Sequence, residues 1–243
     1  NVPMATHTFV MSLCPSRCLT QIAHKLERVL TRIVTPGRAR LATRPRVEYQ
    51  SRFVDFETKA RGRVLDVGSG SDPFPYATVL AERHLEPNLH RATQFESDQK
   101  PVVLCDIHRL PFESNAFGYV YCSHVLEHVL DPVTACRELM RVGRSGYVET
   151  PTLGKDILFS RTEEMHKWHV VAIHNRLVFF EYDSRQRRGI ESSAWRDIVH
   201  SGQRHPLREA FRRHLDLFNI MFEWEDDFEC VVHYLNGKQV RSP

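Results

Sequence analysis

The sequence predicts an α/β fold, a doubly wound and mostly parallel sheet with an antiparallel C-terminal part. Three observations carry that expectation. Between Arg63 and Pro151, short apolar runs alternate with loop or helical segments, as in parallel strands joined by right-handed crossovers. The first run, "RVLDVG", leads straight into the turn Gly68-Ser69-Gly70, where a backbone without side chains can approach a ligand closely. After Pro151 the pattern changes to paired runs, of which "WHVVAIHNRLVFFEY" around His174-Asn175 reads as a hairpin.

Composition bounds the answer. The 243 residues, 42% of them hydrophobic, suffice for one large domain. A net charge of +3 with 26% charged residues lacks the basic excess of a nucleic-acid binder. No apolar run approaches the ~18 residues of a membrane span, and "TFVMSLC" has neither the positive flank nor the cleavage pattern of a signal peptide. The six cysteines are scattered, which suits a reduced, cytoplasmic protein better than a disulfide framework. "CPSRC" has the wrong spacing for a zinc knuckle and no second pair.

Taken in order, the elements fall into three stretches of one domain. Residues 1–60 hold an N-terminal amphipathic helix, with Leu19, Ile22, Leu26, Leu30 and Ile33 on one face. The basic connector "TPGRARLATRPR" follows, its charges read as a solvated face. Residues 61–152 form the ligand-binding core: strands "RVLDVG", "ATVLAE", "PVVLCD" and "YVYCSH", the amphipathic helix "PVTACRELMRVG", and the strand "GYVET" stopped by Pro151. Residues 153–243 add the hairpin, helices over "SSAWRDIVHSG" and "HPLREAFRRHL", an exposed "EYDSRQRRG" loop whose arginines are read as solvated, and a closing antiparallel pair around Glu225-Asp226-Asp227. This last stretch is expected to serve the acceptor side.

The glycine turn discriminates between cofactors. A dinucleotide site wants G-x-G-x-x-G, the third glycine allowing close helix packing beneath a pyrophosphate. Here Gly70 is followed by Ser71, Asp72 and Pro73, and Pro75 further disrupts a helix start. That speaks against NAD and suits a ligand with an amino-acid end and no phosphate.

"VLDVGSGSDPFPYA", "CDIHRLPF" and "YVYCSHVLEHVLDP" together resemble the class I S-adenosylmethionine-dependent methyltransferases, with their Rossmann-like sheet, over roughly residues 60–152. The nearest grouping is the small-molecule enzymes that share a "SHVLEHV" block. The resemblance implies S-adenosyl-L-methionine as cofactor. It also implies Asp66, Gly68, Ser69 and Gly70 around the methionine portion, Glu82 on the ribose hydroxyls with Glu96 as the alternative, Asp106 and Ile107 at the adenine, and His124 beside the methyl-transfer centre. Phe117-Gly118 departs from the Phe-Asp that the family commonly carries before the fourth strand.

Methyl transfer to a hydroxyl needs alignment and removal of a proton, for which histidine is the natural base. His124 and His166 are the expected catalytic residues, with His128 and His169 as further candidates. Glu127 and His128 can equally be read as opening a helix and bonding backbone. His124, Glu127 and His128 also share the i, i+3, i+4 spacing of one helix face, which with His166 would suit a divalent cation. Certain metal-dependent methyltransferases resemble that arrangement, with Glu-x-x-Glu-His and a later histidine. The metal-free version is the expectation, with no metal ligand assigned. Trp168, with Phe179 and Phe180, is read either as an aromatic wall of the acceptor pocket or as hairpin core. The expected function is methyl transfer to an oxygen or nitrogen of a small molecule, a sugar or natural product for preference. The alternative is a non-catalytic module of the same fold that binds the cofactor or its product. Neither nucleic acid nor a membrane span is an expected partner, and the oligomeric state is open.

Overall fold

The computed structural model describes residues 45–86, 94–159, 166–183 and 206–242. The expected N-terminal helix, the "EYDSRQRRG" loop beyond Asp183 and the "SSAWRDIVHSG" helix lie outside them. Two short helices, α1 (Pro45–Gln50) and α2 (Phe56–Lys59), precede the sheet. Sequence periodicity did not mark them, because each is under two turns and neither repeats an apolar face. The Asp55 side chain caps α2 by accepting from the Thr58 N–H at 3.2 Å.

Strands β1 (Val64–Val67), β2 (Val79–Glu82), β3 (Val102–Leu104), β4 (Tyr119–Ser123) and β5 (Ser145–Pro151) pair in parallel in the order β3-β2-β1-β4-β5. Strand β8 (Asn219–Glu225) closes the far edge antiparallel to β5. The mixed, mostly parallel α/β sheet is the one expected. Central strands β1 and β4 are buried at every position, as covered parallel strands must be.

Alternation along these strands separates two cores. Leu65, Val67, Val120 and Cys122 face α3 (Pro132–Val142), which presents Val133, Cys136 and Leu139 to them. Asp131 caps this helix by accepting from the Val133 and Thr134 N–H groups, and Pro132 occupies its first turn. Val64, Tyr119 and Tyr121 point the other way, against Val47 of α1 and Phe56 of α2.

The crossover from β1 to β2 is not a helix. Residues 68–78 form turns alone, and the Pro-Phe-Pro places Phe74 in the second core, fully buried and stacked on Tyr121 at 4.1 Å between ring centroids. The prolines thus exclude a helix and aim one aromatic ring inward.

After β5 come α4 (Leu153–Phe159), the hairpin β6 (Trp168–Ala172) and β7 (Arg176–Glu181), helices α5 (Pro206–Arg213) and α6 (Leu215–Phe218), and strands β8, β9 (Glu229–His233) and β10 (Gln239–Arg241). The hairpin is as expected. The closing pair is not: β8 joins the large sheet, whereas β9 lies parallel to β7 in a second sheet of order β10-β9-β7-β6. Only an isolated bridge, Glu225 to Asp227, marks the turn between them. Both strands carry buried apolar residues, so sequence alone could not tell which partner each would cover. Among the described residues no helix is long and apolar enough to cross a membrane.

Candidate active site

Strand order reverses between β1 and β4, and a cleft of about 420 Å³ opens there at the carboxyl ends of the strands, the position at which open α/β sheets take ligands. The turn after β1 forms one wall. Gly68 and Gly70 adopt φ of 73° and 62°, values that favour glycine. A Cβ on Gly68 would also meet a Val125 methyl at 2.4 Å. The bare backbone therefore makes room first for the loop after β4, beside the cleft. The Gly68 N–H donates to the Ala81 carbonyl at 2.8 Å, tying the turn to β2.

Glu82, the last residue of β2, lines the cleft. Its carboxylate accepts from the Gly70 N–H and lies 3.5 Å from the Ser69 hydroxyl, so it braces the turn as well. Glu96 is exposed and absent from the lining. Asp106 and Ile107 form the opposite wall beyond β3. The Asp106 carboxylate accepts from the His108 N–H at 2.9 Å and pairs with Arg83 at 3.4 Å. Burial would raise its pKa, but the His108 contacts and the Arg83 charge leave it lowered.

Asp66 is placed differently from its neighbours. It shares the face of Val64 and is buried outside the lining, where it accepts from the Phe74 N–H at 2.7 Å. Burial pushes its carboxyl up to about 7 against the pull of that N–H and of Arg46. Any influence on a ligand would run through the loop that it anchors. Arg46, expected to be a solvated connector charge, instead lines the cleft and pairs with Asp72 at 3.3 Å.

His124, at the end of β4, faces the cleft with φ of 58°, left-handed backbone that a non-glycine residue adopts at a cost. The Glu149 carbonyl, accepting from its N–H at 2.8 Å, helps to hold it there. Its Nδ1 lies 3.1 Å from Glu127 Oε1. Its Nε2 lies 3.4 Å from Glu149 Oε1 and 3.3 Å from Lys155 Nζ. Burial and Lys155 would lower the imidazole pKa, but hydrogen bonds to the two carboxylates outweigh them and raise it. Burial lowers that of Lys155. Glu149 is fully buried and also takes hydrogen bonds from Tyr49, Gln50 and Tyr147. Despite burial, His124 and the tyrosine hydroxyls hold its carboxyl at about 2.

Glu127 and His128 do not open a helix. Leu126–His128 is a single 3₁₀ turn, so the expected helical face of His124, Glu127 and His128 is not formed. Glu127 is fully buried and held at about 2, because hydrogen bonding to His124 and the charges of His124, His128 and His166 override the effect of burial. His166 is not part of the cleft wall. Its ring lies 4.7 Å from that of His128, and its Nδ1 is 3.0 Å from Asp156. Trp168 packs in the core at right angles to Phe179, with its indole N–H on the Val129 carbonyl at 2.7 Å, while Phe180 is exposed. His169 lies in β6 at the edge of the second sheet.

Arg46, His108, Glu149, Lys155 and Asp156 escaped the sequence reading. Of these, Glu149 carried a visible signal, an acid inside the apolar strand "GYVET".

A methyltransferase domain family matches residues 65–148. Among solved structures, the YcgJ protein of Bacillus subtilis is 16% identical over 79% of this chain and 93% of its own, with a TM-score of 0.38. An S-adenosylmethionine-dependent methyltransferase of Archaeoglobus fulgidus is 19% identical over 46% of this chain and 55% of its own, TM-score 0.36. The PH0226 protein of Pyrococcus horikoshii is 22% identical over 44% and 57%, TM-score 0.34. The chain thus spans a little over half the length of the last two. No curated relative matches it.

Proposed function

We propose that this chain, which matches a methyltransferase domain family over residues 65–148, is a class I enzyme that transfers a methyl group from S-adenosylmethionine to an oxygen or nitrogen of a small-molecule acceptor. The observation that carries the reading is convergence. The glycine turn, Glu82, Asp106, Ile107 and His124 come from four strand ends and line one cleft at the strand-order reversal.

In this reading Gly68, Ser69 and Gly70 seat the amino-acid end of the cofactor, and the Arg46 guanidinium at the same wall takes its carboxylate. Glu82 accepts from the ribose hydroxyls. Asp106 and Ile107 bound the adenine. The cofactor supplies an electrophilic methyl on a sulfonium, and the protein aligns an acceptor atom behind it. Neutral His124 takes the acceptor's proton. Because the two carboxylates raise the His124 pKa, the rate should climb as pH rises through that value, above the ordinary ~6.5. His166 stands behind His128, one residue removed from the cleft wall, and acts on the site through it.

Isothermal titration with S-adenosylmethionine and S-adenosylhomocysteine tests the cofactor assignment, with NAD expected to be silent. Glu82→Ala should lose about ten- to a hundredfold in affinity, the worth of a charged contact to the hydroxyls, while Glu96→Ala stays near wild type. Labelled S-adenosylmethionine offered with saccharide and natural-product pools tests turnover. Binding without transfer to any pool would leave a cofactor-binding module. Tight NAD binding with no response to either sulfur nucleoside would reject the reading.

A further inference from the structure

Beside the cleft, Glu127, His128 and His166 each place one ligand atom within 4.8 Å of the other two. We propose that these three side chains bind a divalent transition cation of the zinc class.

Four observations build the site. The Glu127 side chain is fully buried, and its Oε2 has no hydrogen-bond partner among the described residues. An orphaned carboxylate oxygen in the interior is costly unless something meets it, and a cation between two imidazoles would. The His166 Nδ1 is already held by Asp156 Oδ1 at 3.0 Å. Donation from that nitrogen fixes the tautomer and leaves Nε2 as the ligand atom, the carboxylate–histidine support that metal sites characteristically use. Asp156 is itself positioned by the Tyr182 hydroxyl at 2.8 Å. Backbone also locks the contributing segments together. The Lys167 N–H donates to the Glu127 carbonyl at 2.7 Å, and the Tyr182 N–H donates to the Lys167 carbonyl at 2.9 Å.

The donor chemistry selects the ion. Two imidazoles and one carboxylate suit zinc and its first-row neighbours, whereas magnesium and calcium prefer oxygen-only shells. Three protein ligands leave a fourth position for water or another donor, the pattern of reactive rather than structural zinc sites. His124 stays outside the set, whose ligand atoms come together from Glu127, His128 and His166. His128 lines the cofactor cleft. If methyl transfer is the activity, a cation here would present its open position to an acceptor oxygen; zinc binding itself does not depend on that reading.

The test uses the full chain stripped with chelator and titrated with zinc chloride. Wild type should take up about one tight equivalent and melt at a higher temperature with zinc. The 14 histidines make weak background binding certain, so a variant carrying E127Q, H128A and H166A together is subtracted. His128→Ala and His166→Ala should each weaken the tight equivalent at least about a hundredfold, and Asp156→Asn about ten- to a hundredfold. Cobalt should give ligand-field bands that disappear in His166→Ala, and excess magnesium should not displace it. Should Glu127→Gln fail to fold, the three other variants still decide. A wild type with no tight equivalent, or a His166→Ala variant binding as wild type does, overturns the site. S-adenosylhomocysteine titrated into the same metal-free protein separates the two proposals. A protein that binds the nucleoside but has no tight zinc equivalent rejects only the metal site, and one that binds zinc tightly but not the nucleoside rejects only methyl transfer.

Discussion

Gly68 shows how much one position can carry. Its φ of 73° and the 2.4 Å approach of a Val125 methyl are independent obstacles to a side chain. Left-handed backbone costs a non-glycine residue about 1–2 kcal/mol, and overpacking adds about 1–3 kcal/mol. Gly68→Ala should therefore lose about 2–5 kcal/mol in urea denaturation. Adding Val125→Ala should recover the packing share and leave the backbone share. Full recovery would mean that the conformation carries no strain. At the same scale Glu82, expected from sequence at the end of the second strand, holds that place in the cleft, while Glu96 does not line it.

At the scale of elements, α1 is joined to the sheet by polar contacts that no periodicity announces. The Tyr49 hydroxyl and the Gln50 amide both donate to Glu149 in β5, and the Asn219 amide of β8 donates to the Tyr49 hydroxyl at 2.8 Å. Removing the buried carboxylate would strand these donors and take its negative charge away from His124 and Lys155. Glu149→Ala should cost about 3–5 kcal/mol, read as a lower urea midpoint, and should speed proteolysis near α1. Glu149→Gln, which keeps an acceptor, should cost less. Equal losses in the two variants would argue that charge, rather than acceptance, matters there.

At the scale of the whole molecule, buried carboxyls oppose one another in their pH dependence. Glu127 and Glu149 are held at about 2. Their stabilisation is therefore complete above an unfolded value of about 4.3 and is lost as pH falls through about 2. Asp66 is raised to about 7, so its contribution is complete below about 3.9 and is lost as pH rises through about 7. Raised His124 adds a further loss above about 6.5. Stability should peak near pH 4–5 and decline toward neutrality by up to roughly 1.4 kcal/mol per pH unit. Asp66→Asn should flatten that decline between about pH 4 and 7. Urea midpoints across this range check it, and an unchanged slope would show that Asp66 is not the group responsible.

The sequence by itself determined what repeats or punctuates locally. Buried parallel strands show as continuous apolar runs, the glycine turn shows as a break after one of them, and the prolines at 73 and 75 disrupt a helix start. These features depend on neighbours in the chain, so spacing is enough to read them. Tertiary structure alone decided which sheet each of β8 and β9 would join, that Asp66 would turn from the cleft, and that Arg46 would reach it. It also decided that Glu127 would meet His124 from a 3₁₀ turn rather than from a shared helix face. The physical reason is common to all of these. Each depends on a contact between segments distant in the chain, such as the Lys167 N–H on the Glu127 carbonyl, and a local pattern holds no information about which distant groups will be desolvated together.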